Sequence, residues 1–173
     1  MTPSDRVARL RADAAAELVL AKRRRSFRRP VLLVLAVVYG ALLAVVLFWP
    51  VHVDGEGGFL RFDAALLFLA RLGVPQWARY LLVESASNVV LFLPLGALWA
   101  AWAPERRVFR IVTATAIGAA VSLSAEVVQQ RLLPDRTFDL RDVVANTVGA
   151  AIGAIAVVVI VTLRRRNGQP ARG

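Results

Sequence analysis

Four long apolar runs decide most of what this chain can become. Residues 31–49, 86–103 and 143–163 carry no charged side chain, and residues 111–130 carry one, Glu126. A run of about 18 or more apolar residues has the length needed to cross the hydrocarbon core of a bilayer as a helix. Composition agrees, with 58% hydrophobic and 20% charged residues among 173. An average soluble domain is about 45–50% apolar and about 25% charged. A soluble globule is therefore excluded, and so is a disordered chain, which needs low hydrophobicity. The expected fold is an all-α membrane protein with four transmembrane helices.

A fifth apolar stretch, 62–83, contains Arg71, Pro75 and Arg79 and makes a poor span. Charge distribution gives a second reason to reject it. With four spans and the N-terminus inside, the inner segments 1–30, 104–110 and 164–173 hold 16 basic residues and the outer loops hold six. A fifth span would move Arg106, Arg107, Arg110 and Arg164–Arg166 outside, against the positive-inside rule. The segment 62–83 reads instead as an amphipathic element on the outer surface between spans 1 and 2, split at Pro75.

The domain reading is a basic cytoplasmic N-terminal segment (1–30), a four-helix membrane domain (31–163) and a basic cytoplasmic tail (164–173), in a multi-pass protein of the cell membrane. The net charge of +10 would suggest nucleic acid in a soluble protein. Here it follows topology, and no base-reading motif accompanies it, so no nucleic-acid partner is expected. Lys22-Arg23-Arg24-Arg25 reads as an anchor on anionic lipid preceding an uncleaved first span. The chain has no Cys and a single His, His52. Disulfides, thiolate metal sites and a Cys nucleophile are excluded, a Ser-His-Asp triad is not expected, and neither a metal nor a cofactor is called for.

Polar side chains within spans are costly and face a bundle interior or a cavity. In the four-span topology, Asn88 lies near the outer end of span 2. Glu126 and Gln129 lie near the outer end of span 3, while Asp142 and Asn146 begin span 4. Asn146 is only about 6 Å along the helix from Asp142, at 1.5 Å rise per residue. The connecting loop adds Arg136 and Asp139. Glu126 and Gln129, at i and i+3, share a face. Asp139, Asp142, Asn146, Gly149 and Gly153 recur at steps of three and four, so one stripe of the last helix carries them all. Its lower part, Gly149-x-x-x-Gly153, is a close-packing surface. Asp139 is placed to cap that helix, with Asp142 near the positive end of its dipole. Pro94 removes one helix hydrogen bond and is expected to kink span 2, with Gly96 beside it.

Three strings hold these residues: Asn88-x-x-x-Phe92-x-Pro94-x-Gly96, then Glu126-x-x-Gln129, then Arg136-x-x-Asp139-x-x-Asp142-x-x-x-Asn146-x-x-Gly149-x-x-x-Gly153. In this order the chain resembles the VanZ-like family over about residues 84 to 155. The resemblance implies a bacterial integral membrane protein of the cell envelope. The family's namesake is linked to antibiotic resistance, against teicoplanin, a lipid-tailed glycopeptide that binds peptidoglycan precursors outside the membrane.

The first functional expectation is an envelope protein whose outer-face pocket binds a lipid headgroup or a lipid-tailed compound such as a glycopeptide antibiotic. Asn88, Glu126, Gln129, Arg136, Asp139, Asp142 and Asn146 form the candidate site. Arg136 would meet a phosphate or carboxylate as a fork, and Glu126, Gln129, Asp139 and Asn146 would orient it and receive hydroxyl or amine donors. The alternative is a membrane enzyme acting on a lipid-linked substrate. In it, Glu126, Asp139 and Asp142 supply acid–base groups or hold a divalent cation. A third reading gives the polar seam the sole task of building a bundle or an oligomer. Membrane lipids are the expected partners in every case.

Overall fold

The computed structural model describes residue 6 and residues 29–48, 62–103, 106–132 and 138–167. Most of the expected N-terminal segment 1–30, and the tail beyond residue 167, lie outside the described residues. The described chain forms five helices: α1 Arg29–Leu47, α2 Asp63–Arg71, α3 Gln76–Trp102, α4 Arg107–Leu132 and α5 Leu140–Asn167. All but α2 are long and apolar enough to cross a membrane. No strand occurs among the described residues. The protein is an all-α, multi-pass membrane protein.

Apolar side chains on α1, including Val31, Val34, Val37 and Leu42, are exposed around the bundle, and only Leu43 of that helix is buried. In water this surface would drive aggregation; in hydrocarbon it is the solvated face. At 19 residues, α1 is about 28 Å long and matches a bilayer core of about 30 Å. Helices α3, α4 and α5 are longer, at 27, 26 and 28 residues. Each reaches about 40 Å, so their ends project past the hydrocarbon.

That surplus changes the reading of 62–83. Pro75 does divide the segment, as the N-cap of α3, but residues 76–83 are the first two turns of α3 rather than part of a separate surface element. Only α2 stands apart. It ends in a reversal at Gly73, whose φ of +78° is open to glycine at little cost. Gly73 N–H donates to the Ala70 carbonyl and Val74 N–H to that of Leu69, closing the end of α2 as a Schellman motif. Arg79 Nε donates to the Val74 carbonyl at 2.7 Å and holds the turn against α3. Exposed Leu67, Phe68, Trp77 and Tyr80 surround this corner, a composition that suits a membrane–water interface.

Helices α3 and α5 run parallel and touch backbone to backbone. A Cβ on Gly149 would stand 2.2 Å from the Val89 carbonyl oxygen, and one on Gly153 would stand 2.0 Å from that of Leu93. From the other side, a Cβ on Gly96 would stand 1.8 Å from the Ala150 carbonyl oxygen. Helix α4 packs antiparallel into the same seam with small or polar residues: Ala114, Gly118, Ser122 and Ala125 are buried on it. Helix α3 continues through Pro94, whose ring lies on the exposed face. Tyr39 of α1 donates to the Leu91 carbonyl, one residue past the Val90 carbonyl that Pro94 deprives of its usual amide.

Close approach of α3 and α5 therefore depends on missing side chains. Gly149→Leu and Gly153→Leu should each lower the thermal unfolding midpoint in detergent or nanodiscs by an overpacking cost of about 1–3 kcal/mol or more. Gly40→Ala, where a Cβ meets nothing within 4 Å, should be neutral or slightly stabilising in the same assay.

Candidate functional site

The antiparallel turn from α4 into α5 and the parallel placement of α3 bring polar side chains together at one end of the bundle. Asn88 Nδ2 on α3 donates to Asp142 Oδ1 on α5 at 2.7 Å. Glu126 on α4 is buried, and its Oε2 accepts the backbone N–H of Asp139 at 3.0 Å. That N–H lies just ahead of α5, where the backbone amides have no partner within the helix. One turn deeper, Asn146 Nδ2 on α5 donates to Ser122 Oγ on α4 at 2.8 Å. Ser122 and Asn146 are 0% and 3% exposed, so this bond lies inside the bundle.

Asn146 has only half of its amide satisfied. Its Oδ1 is buried and accepts no hydrogen bond. Rotating the amide would exchange the two atoms and leave the nitrogen unpaired instead. A buried polar atom without a partner is costly, by about 1–3 kcal/mol, and calls for an explanation.

Gln129 is buried on α4, but it points to α1 rather than to its i,i+3 neighbour's partners. Its Nε2 donates to the Leu47 carbonyl, one of the last-turn carbonyls of α1 that lack an intrahelical donor. Gln129 thus caps α1 and ties it to the end of α4. Asp139 is half-buried and serves α5. Its Oδ1 accepts the Arg141 backbone N–H at 2.8 Å, which is N-cap geometry, and both its oxygens receive Arg141 Nε at 3.1 Å. The hydrogen bond from the Arg141 side chain holds the Asp139 carboxyl below its ordinary range. Arg136 lies outside the described residues, as does most of the loop that carries it.

Six of the seven sequence candidates therefore sit at one end of the bundle, but with different tasks. Asn88, Glu126, Asp142 and Asn146 link α3, α4 and α5. Gln129 and Asp139 cap helix ends. Among the described residues no three His, Cys, Asp or Glu side chains gather to hold a metal ion. Glu126, Asp139 and Asp142 accordingly do not form the cation-binding set that the enzyme reading invoked.

The profile of the VanZ/LLP1 family matches residues 32–161, from the start of α1 to near the end of α5. The chain belongs to the VanZ/LLP1 family. No curated protein and no solved structure matches it. Both the polar end of this VanZ/LLP1 protein and its glycine seam fall inside the matched span. The first span, which carries no distinguishing string, is inside it as well.

Sequence reasoning missed Ser122, Arg141 and Tyr39. Ser122 was within reach of it, because it precedes Glu126 by four residues and so lies on the same buried face. Removing it should isolate Asn146 completely. Ser122→Ala is expected to destabilise the protein by about 1–3 kcal/mol. Ser124→Ala, at an exposed serine whose hydroxyl donates to the Ala120 carbonyl of its own helix, should change little. Thermal unfolding of the two purified variants makes the comparison.

Proposed function

We propose that this VanZ/LLP1 membrane protein binds the polar head of a lipid or lipid-tailed compound at the α3–α4–α5 polar layer, and that this end of the bundle faces the outside of the cell membrane. The unpartnered Oδ1 of Asn146 carries the proposal, because it is an acceptor held ready inside a low-dielectric bundle. Beside it stand the carboxylates of Glu126 and Asp142, which already accept from the Asp139 amide and from Asn88. Such a site suits ligands that bring N–H or O–H donors, such as ammonium headgroups, glycerol or sugar hydroxyls. The exposed apolar faces of the same helices supply the medium in which an acyl tail would lie.

Orientation is supported by the arginines. The opposite end of the bundle carries Arg106, Arg107, Arg110 and Arg164–Arg166, the cationic excess expected on a cytoplasmic side. With that assignment both termini lie inside, and α2 with Trp77 and Tyr80 rests on the outer interface. A glycopeptide such as teicoplanin, with sugar hydroxyls and a lipid tail, has the required chemistry, and resistance to it is the phenotype this reading connects with the family. Binding is favoured over catalysis because the carboxylates of Asp139 and Asp142 are engaged in capping and in interhelical bonding.

The test is ligand-induced stabilisation of the purified protein in nanodiscs. Teicoplanin or phosphatidylethanolamine should raise the unfolding midpoint. Phosphatidylcholine, whose headgroup has no donor, should not. Asn146→Leu, which removes the acceptor while keeping an apolar side chain of similar size, should weaken binding about tenfold, equivalent to about 1.4 kcal/mol. Equal response to all three ligands, or undiminished binding by Asn146→Leu, contradicts the proposal.

A further inference from the structure

A second polar feature lies at the other end of the bundle, where α4 begins and α5 ends. A cavity of about 330 Å³ opens there, lined by Arg106, Arg107 and Arg110 from the start of α4 and by Arg165 from the end of α5. Val158 and Val161 of α5 add apolar side chains to the lining. Thr162 also lines it, but its hydroxyl is already bonded to the Val158 carbonyl at 2.7 Å. The cavity thus combines four arginines with two valines in its lining.

We infer that this cavity is a binding site for the phosphate of an anionic glycerophospholipid. Across residues 104–110 and 164–166 the sequence places six arginines against one acid, Glu105. Of these, Arg106, Arg107 and Arg165 line the same cavity, where like charges repel one another and an anion between them converts that repulsion into attraction. The guanidinium fork matches phosphate oxygens in pairs, and two helices supply forks from different directions. The start of a 26-residue helix adds the positive end of its dipole.

The two valines in the lining and the exposed apolar side chains beside the cavity assign the phosphate to a lipid rather than to a dissolved ion. Val158 and Val161 would be a poor lining for a hydrated anion, but they suit a glycerol backbone and the first acyl carbons. Outside the cavity, Val108, Val112 and Leu163 are exposed on the lipid-facing surfaces of α4 and α5, and acyl chains can follow them into the bilayer. Basic pockets between membrane helices are a recognised setting for anionic headgroups. The ligand would also bridge α4 to α5 where like-charged helix ends otherwise push apart.

This site is independent of the polar layer and needs its own experiment. The full-length protein is purified in neutral detergent and supplied with phosphatidylglycerol, phosphatidylcholine or inorganic phosphate. Bound lipid is counted by native mass spectrometry, and the unfolding midpoint is measured alongside. Phosphatidylglycerol should be retained at least tenfold more strongly than phosphatidylcholine and should raise the midpoint. Inorganic phosphate at millimolar concentration should neither stabilise the protein nor displace the lipid. The double variant Arg107→Gln/Arg165→Gln, at two exposed positions, should lose the preference, while Arg131→Gln at the opposite end of α4 should keep it. Equal retention of the two lipids by the wild type overturns the inference, as does an unchanged preference in the double variant. Stabilisation and lipid displacement by inorganic phosphate would overturn the lipid assignment.

Discussion

Backbone contact between α3 and α5 is the constraint from which the other arrangements follow. In hydrocarbon, burying more apolar surface gains little, because lipid tails solvate leucine as well as a neighbouring helix does. Helices then associate through close packing and through polar groups that must find partners. Gly96, Gly149 and Gly153 provide the first, with carbonyl oxygens lying where a Cβ would otherwise stand. The second follows at the adjacent level. Once Val89 lies over Gly149, Asn88 is within reach of Asp142, and α4 closes the layer with Ser122 and Glu126.

The same bundle separates its polar groups into two kinds by height. At the α5 N-terminus carboxylates, amides and a serine bond one another between helices, with Arg141 paired to Asp139, and at the α4 N-terminus arginines surround a cavity. Each end also satisfies a requirement of helix termini. Asp139 and Gln129 meet unpaired amides of α5 and an unpaired carbonyl of α1, while Arg164–Arg166 occupy the last turn of α5, where the dipole favours cations. A structural role and a ligand-binding role are therefore compatible in this molecule. The residue that distinguishes them is Asn146, because packing and capping leave its Oδ1 without a partner.

Much of this was legible in the sequence, for reasons that can be named. Hydropathy located the four spans because each is a long apolar run with at most one charge, and the stripe of small and polar residues on α5 was visible because helical periodicity exposes it. The start of α3 was not visible. Its first two turns carry Arg79 and lie beyond the length a bilayer demands, so hydropathy says nothing about whether they join the span. The partner of Gln129 was likewise hidden, since no local pattern states which carbonyl on a distant helix lacks a donor. The basic end showed itself as charge, but its cavity arises only when the start of α4 meets the end of α5.

Convergence of α3 and α5 at the polar layer can be measured directly, because the chain contains no cysteine and engineered thiols are the only ones present. The double variant Asn88→Cys/Asp142→Cys, treated in membranes with a short thiol-reactive bifunctional reagent, should cross-link rapidly within one chain. Asn88→Cys/Thr162→Cys, with its second thiol about 30 Å farther along α5, should not. Failure of the first pair to cross-link, or equal yields from both pairs, would contradict the arrangement of helices on which the polar layer depends.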